Sequence, residues 1–201
     1  LMRGELLRND GQGGFIAEDI AAPEDVWGPA FDFSVRDIDG DGLLDAYLCN
    51  DMGRDVAPNR VLLGDGTGGL TARTNDGLDQ RLSCMGSSWG DIDADGALEL
   101  YIAESAQHLM MKRAPDGTWY EVGASMGLGG FFARGEMIWG SGLVDMDNDG
   151  RMELLVGTGD FWVADAQPNP PWWYEQDASG VFVEVGAARG LPRTAHTRGV
   201  V

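Results

Sequence analysis

One nine-residue acidic pattern occurs three times at constant spacing, and it limits the possible folds more than any other feature. The copies are DIDGDGLLD (37–45), DIDADGALE (91–99) and DMDNDGRME (145–153). Their first aspartates fall at 37, 91 and 145, two equal intervals of 54 residues. A unit that returns so regularly is a structural repeat, and units of this length stack into arrays or rings. Each copy is preceded by a short strand such as GSSWG (86–90). Each is followed by an alternating or wholly apolar strand such as LELYIAE (98–104) or LLVG (154–157). Neither kind carries a helical stripe of period 3.6.

A second motif follows each loop: an apolar strand, a Gly/Asp/Asn turn and a further strand. Its copies are LLRNDGQGGF (6–15), VLLGDGTGGL (61–70), LMMKRAPDGTW (109–119) and WWYEQDASGVF (172–182), which read as β-hairpins. A closing element recurs as GASMGL (123–128) and GAARGL (186–191), with an echo in NDGL (75–78). One unit therefore holds about four antiparallel strands, the content of a propeller blade. The expected fold is all-β, a single propeller-type domain over 1–201. Its units are 1–29 (partial), 30–83, 84–137, 138–194 and 195–201 (partial), with first strands near 30–36, 84–90 and 139–144. Closed propellers use roughly four to eight blades, so the expectation is part of a larger ring. Glycine supports this, at 31 of 201 residues. That is roughly twice the usual share, which suits turns and short strands and disfavours long helices.

The loop chemistry points to a hard cation. Carboxylates at positions 1, 3 and 5 converge only if the backbone curls, and Gly at position 6 (Gly42, Gly96, Gly150) permits the curl. The expected ligand sets are Asp37, Asp39, Asp41, the Leu43 carbonyl and Asp45; Asp91, Asp93, Asp95, the Ala97 carbonyl and Glu99; and Asp145, Asp147, Asp149, the Arg151 carbonyl and Glu153. An all-oxygen shell suits Ca²⁺ better than Mg²⁺, and nothing soft is offered to Zn²⁺ or Cu. Four carboxylates on nine residues also repel one another without a cation. Ca²⁺ at up to three sites would move the formal charge from −19 to −13. An EF-hand would need Glu at position 12, where this chain has Leu48, Ile102 and Val156 inside strands.

The charge balance, 33 acidic against 14 basic residues, argues against nucleic-acid and anionic-membrane partners. No apolar stretch is long enough to insert in a bilayer. GSSWG fits a nucleophile-elbow pattern, but the acidic loop follows it instead of a helix, and Ser88 sits at a repeat position shared with Ser34 and Gly142. The two histidines, His108 and His196, have no visible acid–base or metal partners and read as structural. Cys49 and Cys84 can be a disulfide or two buried thiols. Phe161, Trp162, Trp172, Trp173 and Tyr174 surround a Pro-rich insertion in the third unit. They are candidate ligand-binding residues, although alternate ones can simply fill the space between blades. Lys112 is the only lysine, and the sequence assigns it no role.

The loops, each followed by an apolar strand such as AYLCND or LYIAES, resemble FG-GAP/VCBS repeats. NDGQGGF and GDGTGGL are similar to that family's N-D-G-x-G-x-F signature. EVGASMGL and EVGAARGL resemble the ASPIC/UnbV-associated subgroup. Two departures stand out: Glu replaces Asp at position 9 of the second and third loops, and WGPA (27–30) only echoes the Phe-Gly…Gly-Ala-Pro signature. The resemblance implies a propeller of usually seven blades in secreted, periplasmic or surface proteins, as in integrin α-subunit heads, with Ca²⁺ in the acidic loops. The leading expectation is a non-catalytic, calcium-stabilised module that binds a protein or glycan, with another chain or further blades completing the ring. The alternatives are the propeller portion of a secreted lyase or dehydratase, and a self-assembling structural repeat.

Overall fold

The computed structural model describes residues 5–19, 28–129, 137–159, 169–192 and 197–200. They fall into two compact units, Leu1–Ser83 and Cys84–Val201. In the first unit, β1 (Glu5–Asn9) and β2 (Phe15–Asp19) pair as a hairpin. A four-stranded sheet follows, made of β3 (Ala30–Arg36), β4 (Asp45–Asn50), β5 (Arg60–Gly64) and β6 (Leu70–Arg73). The second unit holds two such sheets. One is β7 (Cys84–Gly90), β8 (Glu99–Glu104), β9 (Gln107–Arg113) and β10 (Trp119–Glu121). The other is β11 (Met137–Val144), β12 (Glu153–Gly159), β13 (Trp172–Gln176) and β14 (Phe182–Glu184).

Every sheet is antiparallel, with its strands in sequence order. This four-stranded meander is the blade of a β-propeller. The described residues are nearly all β; the one helical turn is the 3₁₀ segment Gly123–Met126. The expected first strands and all four hairpins are present. Position 12 of each loop (Leu48, Ile102, Val156) is a buried strand residue, which excludes the EF-hand.

The second strand of each blade is the most apolar, and it is buried for that reason: β4 and β8 are buried along their whole length. In the first unit Ala46, Leu48 and Leu62 form a core, with Leu70 and Ala72 against it. In the second unit one cluster joins the two sheets, including Tyr101, Met110, Ile138, Leu154, Val156 and Phe182. The sheets approach closely along β7 and β11. A Cβ on Gly86 would lie 2.9 Å from the Trp139 carbonyl oxygen, so this seam requires glycine. The same contact recurs one step on, where a Cβ on Gly140 would lie 3.1 Å from the Arg198 carbonyl oxygen. Residues 197–200 also hydrogen-bond to Thr158 and Gly140. Cys49 and Cys84 are fully buried and neither is a free thiol.

Candidate metal centres

Each acidic loop joins the first two strands of a blade and is closed by its own carboxylates. Position 1 accepts the N–H of the position 6 glycine: Asp37 from Gly42 at 2.9 Å, Asp91 from Gly96 at 3.0 Å and Asp145 from Gly150 at 3.0 Å. Position 5 accepts the N–H of position 7: Asp41 from Leu43, Asp95 from Ala97 and Asp149 from Arg151. Glycine at position 6 is left-handed in all three, with φ of 86°, 88° and 87°. Position 4 is left-handed as well, at Gly40, Ala94 and Asn148. Gly40 and Asn148 are residue types that favour this conformation, whereas Ala94 adopts it without that preference, so the second kink is only partly marked in the sequence.

Position 9 anchors the loop to the sheet from a buried site. Glu99 takes the Ile92 N–H on Oε2 at 3.0 Å, and Glu153 takes the Met146 N–H on Oε2 at 2.6 Å. Asp45 uses both oxygens on the backbone: Oδ2 accepts from Ile38 at 2.9 Å, and Oδ1 accepts from Gly64 at 2.9 Å. The difference of one methylene decides which side chains meet. In the first loop Asp37, Asp39 and Asp41 bring ligand oxygens within 4.8 Å of one another. In the others the sets within that distance are Asp91, Asp93 and Glu99, and Asp145, Asp147 and Glu153. Asp45 lies outside its set. Asp95 and Asp149 also lie outside theirs, each carrying a basic partner: Lys112 at 3.1 Å from Asp95, and Arg151 on Asp149. Burial pushes the Glu99 and Glu153 carboxyls up, and at Glu153 the neighbouring Asp147, Asp149 and Asp145 add to it. The donors are hard, all-oxygen and clustered, so the first and third loops fit a calcium-sized cation. In the second, the Lys112 ammonium already touches Asp93, Asp95 and Glu99. The carbonyls of Leu43, Ala97 and Arg151 belong to the same curled segments.

Residues 37–102 match the family of FG-GAP-like repeats. The family match spans the first loop, β4 to β7, the second loop and most of β8. The third loop lies beyond it and carries the same internal hydrogen bonds. No curated protein matches the chain.

Of the aromatic candidates, Phe161 and Trp162 lie outside the described residues, as does His196. Trp172, Trp173 and Tyr174 lie on β13 and are half-buried. Trp172 and Tyr174 pack edge-on against His108, at 5.3 and 5.4 Å between ring centroids. Trp173 lies on the other face, with the Arg189 guanidinium 5.8 Å from its ring centroid. A 160 Å³ cavity opens beside Trp172, lined by Pro170, Pro171, Glu184 and Leu191.

His108 is part of a buried polar chain between blades. Tyr101 OH lies 2.5 Å from its Nδ1, and Tyr174 OH lies 3.1 Å from its Nε2. Burial lowers its pKa to about 4, so the ring is neutral at pH 7, and burial pushes both phenols up. Register explains its presence. Ala46 pairs with Leu62 and Leu100 with Met111, so His108 takes the place that Asn59 takes in the first blade. Asn59 donates to Tyr47 OH at 2.9 Å, the same service to the equivalent tyrosine. Ser88 Oγ lies 2.7 Å from Ser141 Oγ, in a pair that joins β7 to β11.

Proposed function

We propose that this chain is a calcium-stabilised, non-catalytic interaction module of propeller blades, acting outside the cell or at its surface and binding a protein or glycan partner. The observation that carries the reading is the convergence of carboxylate oxygens in three loops at the same place in each blade. When bound, the cation would neutralise the clustered carboxylates and pin the turn between a blade's inner strands. Part of its binding energy is then folding energy. Asp37, Asp39 and Asp41 would hold it in the first loop, and Asp145, Asp147 and Glu153 in the third. The closing EVGASMGL and EVGAARGL support a place near the ASPIC/UnbV-associated subgroup. In both, a glutamate (Glu121, Glu184) takes the N–H of the glycine two residues on, and the leucine N–H returns to that glycine's carbonyl.

The non-catalytic reading is supported by the roles of Ser88, engaged with Ser141, and of His108, engaged with Tyr101 and Tyr174, in the packed seam between two blades. A 520 Å³ groove lined by Ile92, Val122, Met126, Gln176 and Val181 gives a partner a concave, largely apolar surface beside the loops. No helix among the described residues is long and apolar enough to cross a membrane.

The test is thermal unfolding in excess Ca²⁺, excess Mg²⁺ and excess EGTA. Each site filled at ~100-fold its dissociation constant adds ~2.7 kcal/mol. A rise of many degrees in Ca²⁺, not matched in Mg²⁺, is expected. Coincident curves in Ca²⁺ and EGTA would overturn the proposal.

A further inference from the structure

We infer that Lys112 is a built-in cation that closes the second acidic loop to metal, so that the three loops are not equivalent. This rests on reading the loops as calcium sites. The side chain reaches from β9 into the loop. Its ammonium is ion-paired with Asp93, lies 3.1 Å from Asp95 Oδ2 and lies 3.5 Å from Glu99 Oε1. An ammonium has three N–H donors, and here three carboxylates surround it. Asp93 and Glu99 are two of the three side chains whose oxygens converge in this loop. A divalent ion can take those oxygens only by ejecting the lysine.

Sheet register shows that this is a decision made blade by blade. The residue that follows the partner of loop position 10 is Leu63 in the first blade, Lys112 in the second and Glu175 in the third. Leu63 brings no charge toward its loop. Glu175 instead holds Arg189, whose guanidinium stands 3.8 Å from Asp147 Oδ2, at the edge of the third loop. This strand position therefore differs in the charge it brings: none in the first blade, a cation in the second and, in the third, an anion that holds Arg189. In the second blade the residue at that position itself places a cation against two of the converging carboxylates; in the third, Arg189 stands against one of them, Asp147, at 3.8 Å.

The experiment is equilibrium dialysis of EGTA-stripped protein against CaCl₂ at neutral pH, counting ions bound per chain at saturation, with circular dichroism confirming the fold. Lys112→Met is expected to bind one ion more than the native chain, and Lys112→Arg the same number as the native chain. Leu63→Lys, which carries the device into the first blade, is expected to bind one ion fewer; it decides the matter if Lys112→Met does not fold. Native protein and Lys112→Met binding equal, non-zero numbers of ions would overturn the inference and leave the calcium reading standing. No calcium on any of these proteins would overturn the calcium reading and this inference with it.

Discussion

The acidic loops and three of the four hairpin turns open on an aspartate, and they use it differently; the β9–β10 turn opens on Ala114. In the hairpins the aspartate is self-sufficient. Asp65 Oδ1 accepts from the Thr67 N–H, the Thr67 hydroxyl and the Gly69 N–H, and Asp177 repeats this with Ser179 and Val181. Asp10 does the same with Gln12 and Gly14. Those donors hold all three carboxyls below the usual range, and no further charge is required. In the loops the backbone consumes only part of the acidic set, and the remaining oxygens face one another. What separates a turn from a candidate metal site is the carboxylate surplus left after the backbone donors are satisfied, not the presence of Asp and Gly.

The largest test of that contrast is Glu153→Ala. Glu153 supplies both an anchor, through the Met146 N–H, and a converging oxygen. In EGTA the lost hydrogen bond is offset by removal of a buried, repelled charge, so the variant should stay within about 1 kcal/mol of the native protein. In saturating Ca²⁺ the gap should widen by about 3 kcal/mol as one site is lost. Chemical denaturation in the two buffers measures both. An equal gap in each would place Glu153 with the hairpin aspartates, as a structural anchor only.

Acid probes the same contrast, provided His108 is accounted for. Its pKa falls from 6.5 in the unfolded chain to about 4 in the folded one, because burial disfavours the charged ring. Its contribution is fully present above pH 6.5. As pH falls below that, the unfolded state takes up a proton that the native state refuses. The loss should reach about 3 kcal/mol by pH 4. His108→Gln, which keeps a polar partner for Tyr101 and Tyr174, should flatten the stability profile between pH 6.5 and pH 4. What slope remains there belongs to the carboxylates of loops and hairpins. An unchanged profile would mean that the seam histidine charges freely in the fold.

How much of this was legible in the sequence follows from which contacts keep the period. The loops and the strands beside them recur at 54 residues, so blades, hairpins and clustered carboxylates can be read directly. The third strand does not keep that period. Residues 51–59 link β4 to β5, but only 105–106 link β8 to β9. That shift hides the equivalence of Asn59 and His108, and with it the reason for a buried histidine. It also hides Lys112, whose relation to Asp93 passes through sheet register across 19 residues of chain. The role of Asp45 was obscured in another way: its fourth carboxylate counts as a ligand in sequence, but two backbone donors claim its oxygens. Trp172 and Tyr174 look like a loop-borne aromatic patch in sequence; strand alternation turns them toward His108 and Trp173 away from it.

The smallest effect expected sharpens the comparison from the hairpin side. Asp65→Ala removes the acceptor of two backbone N–H groups at an exposed turn, where water can replace it. The cost should be a few degrees of melting temperature, and it should be the same in Ca²⁺ and in EGTA, because no cation depends on this carboxylate. Since the folded-state pKa of Asp65 is depressed, its contribution is present at neutral pH and is lost as pH falls through the carboxylate range. The native protein and Asp65→Ala should therefore converge in acid. Asp65→Asn, which keeps one acceptor oxygen for Thr67 and Gly69, should recover most of the difference at neutral pH and should not show the convergence. A calcium-dependent penalty for either substitution would show that the hairpin aspartate, too, feels a bound cation, and the distinction between the two kinds of turn would then rest on position in the blade and not on carboxylate surplus.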